Sequence, residues 1–92
     1  MIQFLIHEES DTVGVATVDI EEGAVAKGLY MDSQKPLELK ALSPIPLGHK
    51  IALADHPVDG TVLKYGHDIG KVVKAIKRGD HVHVHNLKTK RW

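Results

Sequence analysis

"DIGKVVKAIKRG", residues 68–79, decides whether this 92-residue chain is all-β or mixed. Ile69, Val72, Val73 and Ile76 fall at i, i+3, i+4 and i+7, with Lys71, Lys74 and Lys77 between them. Taken alone, that spacing predicts an amphipathic helix. Gly70 and the adjacent β-branched pair Val72-Val73 argue against it, since both are poor helix formers. On pattern alone the helix prevails narrowly.

The flanking sequence reads as strands. "IQFLI" (2–6) is a short apolar run. "TVGVATVDI" (12–20) alternates, with Val13, Val15 and Thr17 on one face and Gly14, Ala16 and Val18 on the other. "AVAKGLYMD" (24–32), "PLELKAL" (36–42), "HKIALA" (49–54), "TVLKYG" (61–66) and "HVHVHNL" (81–87) are further strands. Turns punctuate them. Ile20 to Gly23 and Ile76 to Gly79 share the pattern Ile-x-x-Gly, with Val58-Asp59-Gly60 a looser relative. In that pattern the isoleucine plugs the core while the glycine accepts positive φ. "PIPLG" (44–48) is a stiff loop in which two prolines prevent regular pairing and hold His49 in place.

The totals bound the function. Ninety-two residues give one domain, 1–92, with one small core. A walled active site is hard to build at that size, so contacts with other chains are expected. Twelve basic against 12 acidic side chains, and four scattered aromatics, argue against nucleic-acid binding. The basic end Lys88-Thr89-Lys90-Arg91-Trp92 reads as a solvated end or a docking segment. Cysteine is absent, which excludes disulfides and thiolate chemistry. The N-terminal stretch lacks the pattern of a secretory signal, and no run approaches a membrane span. A cytoplasmic protein without membrane or nucleic-acid partners is expected. The sequence also lacks a glycine-rich phosphate loop and a Gly-x-Ser-x-Gly elbow.

Histidine carries the candidate chemistry. On a strand, His81, His83 and His85 share one face and Val82 and Val84 the other. Same-face neighbours lie about 6.5–7 Å apart. Two imidazoles at that spacing can lean onto one metal with bonds of about 2.0–2.1 Å. Zinc, iron, copper and nickel suit such ligands. Acid–base work near neutrality is a second reading, and a merely hydrated strand face a third. His49, after the proline loop, is a site residue or a turn residue. His67, between Gly66 and Gly70, reads as part of a tight turn. His7 with Glu8-Glu9-Ser10-Asp11 reads as a solvated acidic loop, and His56 before Pro57 as a surface turn residue.

Taken together, "DTVGVA" (11–16), "IPLGHKIAL" (45–53) and "KYGHDIGKVVKAIKRGDHVHVHN" (64–86) resemble the N-terminal SAF-type domain of the altronate/galactarate dehydratase family. The likeness runs from Phe4 to Trp92 and is strongest to the family's stand-alone form, the small subunits of sulfo-lyases. It implies a mostly β, compact β-clip fold of bent hairpins with at most short helical turns. It therefore moves 68–79 to a short strand followed by a helical turn. It implies a lyase that removes the α-proton of a small 2-hydroxy-acid substrate and expels water or sulfite from the next carbon. The small domain would work only with a large catalytic lyase subunit. A divalent metal, with iron(II) the expected ion, would be shared between the two.

Carried over by position, His49 matches the family's Gly-His-Lys motif. His83, His85 and Asn86 match its His-x-His-Asn motif, which His81 precedes, and Tyr65 matches its Lys-Tyr-Gly turn. The resemblance thus makes His49, His83 and His85 the expected catalytic residues, His83 and His85 the metal ligands, and Asn86 and Tyr65 substrate contacts. The alternatives are a non-catalytic β-clip module that binds a carbohydrate-like ligand or scaffolds a partner, and a stand-alone metal-binding protein.

Overall fold

The computed structural model of the chain describes residues 1–56, 61–64, 67–72, 74–83 and 87–88. Among them all regular structure is strand: β1 (Phe4–Ile6), β2 (Val13–Ala16), β3 (Val25–Tyr30), β4 (Pro36–Lys40), β5 (Lys50–Ala52), β6 (Thr61–Lys64), β7 (His67–Val72), β8 (His81–Val82) and β9 (Leu87–Lys88). Six form one sheet in the order β4-β3-β1-β2-β5-β8, and three form another in the order β6-β7-β9. No helix among the described residues is long and apolar enough to cross a membrane. The all-β, β-clip expectation is met.

The deciding stretch is strand first. β7 pairs antiparallel with β6 and with β9, through Val62↔Gly70 and Val72↔Leu87 among others. Neither the helix of the apolar spacing nor a helical turn after the strand is present among the described residues. The reason lies in the backbone of Ile76. Its N–H donates to the His56 carbonyl at 2.8 Å and its carbonyl accepts from the His56 N–H at 2.7 Å. A helix would need that N–H for the carbonyl of residue 72. Tertiary pairing has overridden local periodicity.

β1 lies at the centre. It pairs antiparallel with β2 (Leu5↔Val15) and parallel with β3 (Leu5↔Leu29). Phe4 is fully buried, and its ring lies over Gly28 of β3. A Cβ at that position would collide with the ring, so only glycine admits it. Full burial of such a side chain contributes about 1.5–3 kcal/mol.

Two apolar clusters share a wall. Phe4, Ile6, Ala16, Ile20, Leu39, Ile45 and Ile51 belong to the larger one. Val13, Ala52, Val72, Ile76 and Val82 form the smaller. β2 and β5 contribute to both, because alternate residues point to opposite faces. The register follows suit: Val13↔Ala52 on one side and Gly14↔Ile51 on the other. A strand buried on both faces reads as a continuous apolar run, which is what residues 12–18 look like.

Two of the Ile-x-x-Gly turns behave as expected, and Val58-Asp59-Gly60 lies outside the described residues. Ile20 and Ile76 are buried, and Gly23 and Gly79 have φ of 85° and 93°. A third instance, Ile45-Pro46-Leu47-Gly48, lies hidden in the proline loop, with Ile45 buried and Gly48 at φ 83°. The prolines do not prevent pairing there. Ile45 keeps its own N–H and carbonyl, and both bond to Ile20 at 2.9 Å.

Candidate functional site

The β5–β8 pairing builds the site. Its register is Lys50↔Val82 and Ile51↔His81. Continued by one residue in the antiparallel sense, that register sets His49 opposite His83. His49 alternates with Lys50, so it shares the face of Ile51 and therefore of His81. Three imidazoles meet at this edge. The rings of His49 and His83 stack with centroids 4.0 Å apart, and those of His49 and His81 at 5.0 Å. His49 Nδ1 and His81 Nε2 are hydrogen-bonded at 2.8 Å.

Local chemistry fixes each member. The Ile45–Gly48 turn places His49, whose N–H donates to the Pro46 carbonyl at 3.0 Å and whose carbonyl accepts from the Ala16 N–H at 2.9 Å. The backbone N–H of His81 donates to Ser43 Oγ at 2.9 Å. Before it, the turn at Gly79 closes against the Lys40 carbonyl, where a Cβ would not fit.

The same bonds explain why the strand expected over 81–87 is short. β8 stops at Val82, and His83 lies in a bend. His49, the next partner in register, falls at a non-hydrogen-bonded position whose carbonyl faces β2, and the residue before it, Gly48, donates its N–H to the Ala16 carbonyl. Leu87–Lys88 pairs instead with β7. Of the expected site residues, His49 and His83 come together. His85, Asn86 and Tyr65 lie outside the described residues. His81, which the sequence sets on one strand face with His83 and which the family motif follows, is the third member of the cluster. Its signal was present in the sequence: the His-x-His spacing puts 81 and 83 on one face, and a paired strand carrying His49 selects that pair.

One nitrogen from each of His49, His81 and His83 lies within 4.8 Å of the others. Bonds of about 2.0–2.1 Å place neighbouring ligand atoms about 3–3.5 Å apart, which modest ring rotations reach. Three neutral imidazoles suit iron(II), zinc or a similar ion and leave it its full charge, which favours an anionic substrate. The donor set fits a divalent cation. Without an ion, the His49–His81 bond has one imidazole donating and the other accepting, so the pair handles a proton between them.

Two other expectations are corrected. His56 is no surface residue: it is 4% exposed and bridged to Ile76. Among the described residues its Nε2 has no hydrogen-bond partner, and burial pushes its pKa below the ordinary value, with Asp55 opposing. The acidic loop is not wholly solvated either. Asp11 is buried, because its carboxylate accepts from the Glu8 N–H at 3.3 Å and closes the turn. Leu42 and Leu47, whose side was open from sequence, face solvent, and Leu29 is half-buried.

A family described as the altronate/galactarate dehydratase SAF domain matches residues 2–90. The (2R)-sulfolactate sulfo-lyase subunit alpha of Chromohalobacter salexigens is 48% identical over 92 residues, covering 99% of this chain and 98% of the relative. The subunit of the same name from Paracoccus pantotrophus is 54% identical over 54 residues, covering 59% of this chain and 81% of the relative. Galactarate dehydratase (L-threo-forming) of Escherichia coli K12 is 39% identical over 69 residues, 75% of this chain but 12% of that enzyme.

Proposed function

This chain belongs to the altronate/galactarate dehydratase SAF-domain family, and on that premise we propose that it is the small subunit of a lyase acting on 2-hydroxy acids. Sulfolactate is the leading substrate, because the chain is nearly coextensive with a sulfo-lyase alpha subunit. A sugar acid that loses water is the second. A large subunit completes the site, as the relatives' "subunit alpha" names imply for them.

The observation that carries the site assignment is the cluster of His49, His81 and His83 at one sheet edge. The reaction removes a weakly acidic proton beside a carboxylate, and sulfite leaves the neighbouring carbon with the C–S electron pair. Negative charge builds on the carboxylate as the proton departs. A divalent ion held by the three histidines would supply Lewis acidity for that charge. The protein's own part is to fix the imidazoles. The turn ending at Gly48 sets His49, Ser43 holds the backbone at His81, and stacking aligns His83. The 2.8 Å bond lets a proton taken by one imidazole be shared with its neighbour. Burial against the large subunit would exclude the water that this small chain cannot.

The test is turnover of (2R)-sulfolactate by the reconstituted complex, read as sulfite release. His49→Ala and His83→Ala are each expected to lower kcat about 10²–10⁴-fold, with assembly intact. Full activity in either variant removes that residue from the site. Turnover by the small chain alone would remove the need for a large subunit.

A further inference from the structure

A groove of about 340 Å³ opens on the proline loop that leads into His49. Pro44 and Pro46 form one wall, and Asp19, Glu21 and Glu22 form the other. Ile20 and Ile45, bridged to each other, close the bottom. The walls are tied together, because Asp19 Oδ1 accepts the Leu47 N–H at 2.8 Å. Leu47 itself is 61% exposed and Leu42 44% exposed, at either end of the same loop.

We propose that this groove seats a basic, apolar segment of the large subunit, an inference that rests on reading the chain as a small subunit. Charge is the first argument. The ion pairs among the described residues are His7–Glu8 and Lys35–Glu9, so no cation there neutralises Asp19, Glu21 or Glu22. Three carboxylates around an apolar floor fit a lysine- or arginine-bearing segment whose stem lies along the prolines. The charge also argues against a second copy of this chain. A twofold contact through this face would bring two sets of carboxylates together.

Position is the second argument. The loop that supplies Pro44 and Pro46 holds the His81 backbone through Ser43 and runs directly into His49. A partner seated in the groove therefore touches the loop from which His49 emerges.

The experiment measures association of the full chain with its own co-expressed large subunit, by titration calorimetry at low and high salt. The double variant Glu21→Lys/Glu22→Lys is expected to raise Kd at least about tenfold at low salt, with a smaller effect at high salt. Glu38→Lys, an exposed residue of β4, is the charge control and is expected to leave Kd unchanged. If the wild-type chain binds and the double variant binds equally well, the groove assignment is wrong while the small-subunit reading stands. If the wild-type chain does not bind the large subunit, both are wrong. A self-associating chain whose dimer the double variant splits would overturn the proposal in favour of a second copy.

Discussion

The bridge between Ile20 and Ile45 and the bridge between His56 and Ile76 are one backbone device with different fillings. Each exchanges two N–H···O bonds, at 2.9 and 2.9 Å in the first and at 2.7 and 2.8 Å in the second. In each, an isoleucine leads into a turn that ends on a glycine of positive φ. The first bridge buries two isoleucines in the larger cluster. The second buries one isoleucine and a histidine whose Nε2 has no partner among the described residues. Backbone pairing and glycine set the geometry; the side chain at the bridge sets what that geometry costs. An unpaired buried polar group costs about 1–3 kcal/mol, which the second bridge carries and the first does not.

The contrast can be broken at its strongest point first. Ile45→Ala is expected to destabilise the chain by about 3–4 kcal/mol through lost burial and a residual cavity. Urea denaturation measures it, and a loss under about 1 kcal/mol would mean that the first bridge is not a core element. His56→Leu should move the other way, raising stability by about 1 kcal/mol, because it removes the unpaired nitrogen and keeps the volume. A loss of stability would show that the histidine is satisfied in the fold.

The smallest effect is on pH. Burial disfavours the charged imidazole, so the folded pKa of His56 lies below its ordinary 6.5. The unfolded chain then binds the proton more readily. Stability from this group is complete above pH 6.5, falls as pH drops towards the folded pKa, and levels off below it. In denaturant titrations at stepped pH, His56→Leu should lose this component of the acid slope while other groups keep theirs.

Sequence carried much of the fold. Apolar runs and alternation located β1 to β6, and the resemblance correctly turned residues 68–72 from helix to strand. What pattern could not supply was partnering. Nothing local tells Ile76 to bond His56, so the helical spacing of 69, 72, 73 and 76 competed on equal terms. Nothing local tells His56 that it is buried, because Pro57 reads as a turn whichever side the histidine faces. The candidate site was half legible for the same reason. His81 and His83 were legible as one strand face and His49 through the resemblance, yet that His49 joins them follows only from the register of β5 against β8. That register depends on where Gly48 stops β5.

The separation of His49 from His81 along the chain sets an order of assembly. Their bond spans 32 residues, and the closure of so long a loop has an entropic cost that only finished pairing offsets. Strands β1 to β4 and the Ile20–Ile45 bridge use residues 4–45 alone. During synthesis, the larger cluster can begin to condense while the second half of the chain is still emerging. The imidazoles meet only after β8 has cleared the ribosome and docked on β5. The histidine edge therefore forms only after strands β1 to β5 have been made.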